Sequence, residues 1–475
     1  MLKHAVILAV LLGAFYFLVR DNIIYGPYIY DEADYMYAAS LGFAANYIDS
    51  PSLSLPQFIR LGLSARRNPG NHTELSETIR ASDDVVFYRH WHGPLYTDWL
   101  IVAKHFASSE HAMRAWNVVM PLATALLMYF GALWILPGIA GQIAAVLSAA
   151  LYLWSYPAIR ANELAPHQLF AFFTTLCLLL LARLTLTGER RDWYAAVAAS
   201  ALAFCTLEIA FALIATVLIC GHLVRDRLKP DIAFAAKSAG VFLLTALLVW
   251  PGGILKLSFV RAYAFMAYLA LFRKNAWGTN ISVGGAWWLR ILLSPVPWIL
   301  LALGALLLIS RRLKWSPVLA PFAIFFVSMF LAVFRVNADA PRYALTIMPG
   351  LVLFASWAAG LWLTRFRTPI RAGAMALIMT AMLLTTVRGI RFYGFQREAP
   401  DAFALLNFIR QNHLTDKKML APHDDLPTIH YYFPHTRLAP YADVAEIPAQ
   451  LQSGTFDGVL YTGDPPRYQA APAVH

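Results

Sequence analysis

Asp31 and Glu32 stand side by side about a dozen residues beyond the first apolar run of the chain, Leu2 to Val19. A carboxylate in that place is cheap to solvate and lies close enough to a bilayer surface to meet a lipid headgroup. Within hydrogen-bond reach of a hydroxyl, it can take the proton as that oxygen attacks, which is general-base chemistry. The pair also has a purely structural reading. Asp31 can cap a helix beginning at Glu32, with Asp34 in a first turn favoured by the helix dipole. The two readings are compatible, because a cap on an interfacial helix is itself held rigidly.

Further groups capable of binding or chemistry follow along the chain. His92 and Tyr96 lie in Trp91-His92-Gly93-Pro94-Leu95-Tyr96, preceded by Arg89 and His90. That grouping suits a phosphate or a sugar hydroxyl, and it reads equally as an aromatic belt with a proline turn. Arg160, Glu163 and His167 flank the start of a later apolar run. Arg342 and Tyr343 open another, in Asp339-Ala340-Pro341-Arg342-Tyr343. Arg342 is either a snorkelling anchor or a guanidinium clamp on a lipid phosphate, and Lys256 and Arg261 add positive potential nearby. Glu208 reads as a loop residue solvated by water. His423, Asp424, Asp425, His430 and His435 match no established zinc spacing and read as turn and cap residues. Asn71-His72-Thr73 and Asn280-Ile281-Ser282 are sequons of a kind common by chance.

The elements that must position these groups are membrane helices. Of 475 residues, 59% are hydrophobic and only 14% charged, a balance rare in soluble globular proteins. Long apolar runs recur at Leu122–Leu136, Phe170–Leu181, Val241–Trp250, Ile299–Ile309 and Leu351–Leu363. With its flanks, each is long enough to cross about 30 Å of hydrocarbon. The net charge of +11 would suggest a nucleic-acid partner in a soluble chain. Here the basic residues sit in short connections and serve as topology signals, so no nucleic acid is expected. Cys177, Cys205 and Cys220 all fall in apolar runs, which excludes a disulfide framework or CxxC metal motif. No small-residue cleavage site precedes Arg20-Asp21, so the first run reads as an uncleaved anchor rather than a signal peptide.

Hydropathy gives about eleven spans, centred near residues 11, 125, 148, 177, 200, 215, 242, 299, 325, 353 and 380. With a cytoplasmic N-terminus, the basic connections at Arg190-Arg191, Arg225–Lys229, Arg311–Lys314 and Arg365–Arg371 all fall on the cytoplasmic side. That parity requires the Tyr194–His222 run to be a tight helix pair turning near Thr206–Glu208. It sends the first loop (20–112), the 252–285 loop, 335–342 and the tail to the opposite side. The first loop carries amphipathic stretches at Asp34–Ile48 and Leu53–Leu63. The tail changes composition and reads as a small α/β unit: a helix over Asp401–Gln411, a strand over Lys418–Leu420, a helix over Leu426–Tyr432 and a strand over Gly458–Tyr461. The expected division is a membrane module over 1–388 and an extracytoplasmic α/β domain over 389–475.

In this order and topology the motifs resemble the GT-C superfamily of membrane glycosyltransferases, with a closer likeness to the protein O-mannosyltransferase and lipid A aminoarabinose transferase branch. The parts that carry the resemblance are Asp31-Glu32 after the first span, the first loop ending in His92-Gly93-Pro94-Leu95-Tyr96, and Pro341-Arg342-Tyr343 opening a late span. The resemblance implies a hexosyl or pentosyl unit carried on a polyprenyl phosphate and transferred with inversion to a hydroxyl of a lipid, glycan or protein. It implies that Asp31 is the catalytic base with Glu32 as its adjacent partner, and that Arg342 is a phosphate contact. His92 and Tyr96 match the juxtamembrane motif. No cofactor is required by this chemistry, although some relatives use a divalent cation, which Asp31 and Glu32 would hold. The setting it implies is a bacterial inner membrane, with the tail in the periplasm. Two departures stand out. Relatives usually place an aspartate just before Leu169-Phe170-Ala171-Phe172-Phe173, where Glu163 is the substitute, and many have a lysine where this chain has Glu208.

Two other readings share the composition. A flippase or transporter of lipid-linked saccharides would place polar groups or broken helices at mid-membrane, whereas these charges gather at one face. An O-antigen-ligase-like enzyme would carry its chemistry in a large late loop rather than a long first one.

Overall fold

The computed structural model describes residues 2–20, 23–29, 31–43, 60, 92–160, 163–255, 257, 259–260, 263–264, 304, 317–333, 341–393, 400–422, 425–441, 447–452, 456–462 and 468–472, apart from the side chains of a few of these, Arg160 among them. The apolar runs fold as helices: α1 (Leu2–Val19), α2 (Asp31–Ser40), α3 (Leu95–Ala103), α4 (Glu110–Asn117), α5 (Val119–Ile135), α6 (Gly138–Leu153), α7 (His167–Thr187), α8 (Arg190–Phe204), α9 (Phe211–Leu223), α10 (Ile232–Val249), α11 (Ala320–Val333), α12 (Met348–Leu363) and α13 (Thr368–Tyr393). Every expected span centre except that near residue 299, which lies outside the described residues, falls inside one of these helices. Among the described residues, four stretches are by length and composition apolar enough to cross a membrane: Glu110–Ile135, His167–Thr187, Ile232–Val249 and Thr368–Arg388. Five shorter apolar helices accompany them, and the chain is an integral membrane protein.

Helix boundaries follow local chemistry. Gly188 closes α7 in the left-handed region (φ 68°), its N–H donating to the Leu184 carbonyl at 2.8 Å. The Asp231 carboxylate accepts the Phe234 N–H at 2.6 Å and starts α10. The Tyr194–His222 run is two helices, α8 and α9, broken at Cys205–Leu207 and a 3-10 turn over Glu208–Ala210, as the charge parity requires. At the far end of α7, about 30 Å from its N-terminus, Arg227 donates to the Thr185 carbonyl at 2.9 Å and Arg190 to the Leu228 carbonyl at 3.1 Å. The basic residues of the α7–α8 and α9–α10 connections therefore meet in space, at one end of the bundle.

Small residues let the central helices approach closely. A Cβ on Gly360 of α12 would lie 2.8 Å from the Ala140 carbonyl oxygen of α6, and Ser148 and Ser356 share a buried hydrogen bond of 2.6 Å between the same two helices. In lipid, where apolar tails compete for the same surface, such close backbone packing and interhelical hydrogen bonds hold helices together.

The tail contains α14 (Pro400–Gln411), β1 (Lys418–Pro422), α15 (Leu426–Tyr432), β2 (Arg437–Tyr441), α16 (Ile447–Gln452), β3 (Gly458–Thr462) and β4 (Tyr468–Pro472). The sheet order is β2-β1-β3-β4, with β1 parallel to both neighbours and β4 antiparallel to β3. Leu405, Ile409, Met419, Ala421, Ile429 and Leu460 form one buried cluster beneath it. The sequence reading missed β2 and β4. Both are edge strands, where Pro440 is tolerated because it need not donate to a second neighbour, and Gln469-Ala470-Ala471 has no strong β-former. The tail docks on the first loop. Tyr432 Oη accepts the Tyr28 N–H at 2.9 Å and donates to Glu110 Oε1 at 3.0 Å. Gly26, at φ 117°, leaves room for the Phe403 ring.

Candidate active site

The site begins at the first turn of α2. The Glu32 carboxylate reaches back to accept the Ile29 N–H at 3.3 Å, which ties down the start of the helix. Arg114 of α4 donates to both Glu32 oxygens, Nε at 3.0 Å and a terminal nitrogen at 2.5 Å, and both side chains are buried. The remaining guanidinium protons go to the carbonyls of Ile24, Gly26 and Pro27. Glu32 Oε1 also accepts the Leu164 N–H at 3.0 Å, while Asn117 donates to the Glu163 carbonyl at 2.9 Å and accepts from the Tyr96 hydroxyl at 3.2 Å. Glu32 thus anchors α2 and the 163–164 turn together.

Asp31, one residue earlier and about 100° around the helix, faces the other way with half its side chain exposed. Arg342, in the 3-10 turn Pro341–Thr346 before α12, donates to Asp31 Oδ2 at 2.7 Å and to Glu163 Oε2 at 2.9 Å. Burial opposes the charged guanidinium, but the Asp31 carboxylate, with Tyr343 and Glu163, outweighs it and holds the Arg342 pKa above its ordinary value. Arg342 is therefore a fixed positive charge touching two carboxylates, one of them open to an incoming group. Tyr35, one turn further along α2, lies within electrostatic reach of Asp31. Burial first, and Asp31 second, keep its phenol protonated well beyond the usual range. The Tyr343 phenol is held protonated by burial in the same way.

A second polar pair lies on the same wall. His92 Nδ1 is 2.6 Å from Glu208 Oε2, with side chains 15% and 17% exposed. The His92 ring lies 6.0 Å from Tyr35 and 6.5 Å from His167, whose ring meets Tyr343 edge-on at 5.0 Å. Glu208, read from sequence as a solvated loop residue, is instead drawn into this wall. The helix break at Cys205–Leu207 turns it inward.

Of the residues singled out from sequence, Asp31, Glu32, Glu163, Arg342, Tyr343, His92 and Tyr96 converge on one end of the bundle. Arg89, Lys256 and Arg261 lie outside the described residues, as do both sequons, His423, Asp424 and the Leu53–Leu63 stretch apart from Arg60. Arg160 ends a short helix from Tyr156, and its side chain is not described. Sequence reasoning missed Arg114 and Asn117. Each sits in a short amphipathic helix where nothing marks it as more than a polar-face residue. The His430 ring lies 4.5 Å from that of Tyr37.

A divalent ion bridging Asp31 and Glu32 does not fit this arrangement. The two carboxylates diverge, and the Glu32 oxygens are taken by Arg114 and two backbone N–H groups. Among the described residues no cluster of three or more His, Cys, Asp or Glu could hold a metal ion.

The fold is similar to that of solved membrane proteins of the GT-C type. The fold matches ArnT from Cupriavidus metallidurans, solved bound to undecaprenyl phosphate, with a TM-score of 0.58 over 98% of this chain and 93% of that one at 13% identity. It also matches the archaeal oligosaccharyltransferase AglB from Archaeoglobus fulgidus, in complex with an inhibitory peptide and a dolichol-phosphate, with a TM-score of 0.51 over 73% of this chain at 13% identity. This chain spans 56% of the AglB chain in that match. The Archaeoglobus fulgidus oligosaccharyltransferase tethered with an acceptor peptide gives a TM-score of 0.52 over 81% of this chain and 66% of that one, at 12% identity. No family model and no curated protein sequence matches the chain. At these identities the likeness is one of fold.

Proposed function

We propose that this protein is an inverting glycosyltransferase that moves a sugar from a polyprenyl-phosphate donor to an acceptor hydroxyl at one membrane face. The observation that carries the reading is the Asp31–Arg342–Glu163 arrangement, which sets a half-exposed carboxylate against a partly buried guanidinium where apolar helices end. Solved proteins of the same fold bound to undecaprenyl phosphate and dolichol-phosphate support the choice of donor.

In this reading Asp31 accepts the proton of the acceptor hydroxyl as its oxygen bonds to the anomeric carbon. The bond from that carbon to the phosphate oxygen breaks, and the electron pair leaves with the phosphate. A guanidinium has five N–H donors, and the two carboxylates use two of them, so Arg342 can also stabilise charge growing on the leaving phosphate. Glu32 positions α2 through Arg114 and touches no substrate. Glu163 holds one terminal nitrogen of Arg342 while Asp31 takes the other. His92, Tyr96 and Tyr343 complete the wall, with Arg89, Arg160, Lys256 and Arg261 as further phosphate or sugar contacts. The step needs no metal. The basic connections favour an N-terminus in the cytoplasm of a bacterial cell, followed by about eleven crossings. The site and the 389–475 domain then lie on the periplasmic side of the inner membrane, with a lipid, glycan or protein as acceptor.

The test is purified protein with polyprenyl-phosphate sugars. Wild type should cleave the donor and glycosylate an acceptor, while Asp31→Asn should lose roughly 10²- to 10⁴-fold in turnover with its fold intact. Near-normal turnover in that variant removes Asp31 as the base. Movement of intact donor across vesicles without cleavage would point to a flippase.

A further inference from the structure

Glu208 does more than fill the break between α8 and α9. Its carboxylate can only accept, so the 2.6 Å contact requires the proton on His92 Nδ1. In the neutral ring that leaves a lone pair on Nε2, which has no hydrogen-bond partner among the described residues. We propose that Glu208 is a positioning residue that holds His92 in this tautomer, and that His92 Nε2 accepts a hydrogen bond from a substrate hydroxyl bound beside Asp31. The second half rests on the glycosyl-transfer reading above.

The backbone around the pair is locked. The Leu95 N–H donates to the Cys205 carbonyl at 3.0 Å. A Cβ on Gly93 would overlap that same carbonyl, so only glycine lets the His92 turn sit on the α8 terminus. His92 and Glu208 are thus brought together by two docked backbone segments rather than by two free side chains, and little entropy remains to be lost when a ligand arrives.

The neighbours identify the ligand chemistry. His92 faces Glu208, Tyr35 and His167, and Tyr35 in turn feels the charge of Asp31. His167 is 3% exposed, and its buried Nδ1 has no hydrogen-bond partner among the described residues. A buried polar atom left unpaired is costly, and a ligand hydroxyl can satisfy it. Two imidazoles on one wall, together with a phenol kept protonated, form a surface of single acceptors and donors. That composition suits a polyhydroxylated ring better than an apolar group.

The experiment uses the full-length protein, ¹⁵N-histidine NMR and transfer kinetics with an undecaprenyl-phosphate hexose. Wild-type His92, assigned by difference from His92→Gln, should show a protonated Nδ1 and an unprotonated Nε2 near neutral pH, and Glu208→Ala should abolish that preference. An Nε2–H tautomer, or an imidazolium, in the wild type overturns the proposal. His92→Gln and Glu208→Ala should each lower kcat/KM by roughly 10- to 100-fold, and the double variant should be no worse than His92→Gln alone. Additive losses would show that Glu208 does not act through His92. Glu208→Asp, which keeps the charge, should recover part of the loss, and unchanged thermal unfolding of Glu208→Ala excludes a folding defect. If the wild type transfers no sugar, the transfer reading and the hydroxyl contact fall together, while the tautomer measurement still decides the role of Glu208.

Discussion

Arg114 donates to both oxygens of Glu32, at 3.0 and 2.5 Å, in a pair with side chains no more than 3% exposed. Beside it in sequence, Asp31 keeps half its side chain in the open and meets Arg342. Two adjacent carboxylates of similar chemistry therefore have different physical roles, and stability and activity should separate them.

Removing one partner of a buried ion pair leaves the other charge uncompensated. Glu32→Ala should destabilise the protein by about 3–5 kcal/mol, read as a large fall in unfolding temperature in detergent. Asp31→Asn alters a half-exposed pair and should cost less than about 1 kcal/mol. Equal losses in the two variants would contradict the division of roles.

Arg342 should act on the donor. Arg342→Ala should raise the apparent KM for a polyprenyl-phosphate sugar and lower kcat, with a smaller change in acceptor dependence. Arg342→Lys should recover little, because an ammonium cannot reproduce the geometry that spans Asp31 and Glu163. Steady-state kinetics with each substrate varied in turn checks both statements.

Docking of the tail should weaken in mild acid. Burial lowers the His430 pKa below its ordinary 6.5, so the native state disfavours the protonated ring. A histidine with a depressed folded pKa contributes full stability above the unfolded value and loses it as pH falls from about 6.5 towards the folded value. Unfolding temperature should drop across that window in wild type and drop less in His430→Phe, which keeps a ring against Tyr37.

The α6–α12 contact leaves no room at Gly360. Gly360→Val should cost about 1–3 kcal/mol through overpacking, because its Cβ alone would lie 2.8 Å from the Ala140 carbonyl oxygen. Gly373, with nothing within 4 Å of an added Cβ, is the control: Gly373→Ala should leave unfolding unchanged or slightly improved.

Much of the fold is legible in the sequence because its determinants are local. Runs such as Phe170–Leu181 have one low-energy outcome in hydrocarbon, where each backbone polar group must be satisfied within its own segment. The helix over Leu426–Tyr432 and the strands at Lys418 and Gly458 carry their own periodicity. The edge strands β2 and β4 do not, since their pairing with β1 and β3 replaces intrinsic preference. In the site, Asp31, Glu163, His92 and Arg342 stand out by charge at the ends of apolar runs. Arg114, Asn117 and Tyr35 look like ordinary surface residues until a partner far along the chain is in place.

By itself the sequence determined that this is a helical membrane protein with its carboxylates gathered where helices end, because burial of apolar runs and solvation of charge are settled over a few turns of chain. Only the tertiary structure decided which carboxylate of Asp31-Glu32 faces inward, and that Arg342 spans to a residue 311 positions earlier. Adjacent helical side chains diverge by about 100°. Which of the two meets a buried arginine depends on packing between helices, a relation that no local pattern encodes.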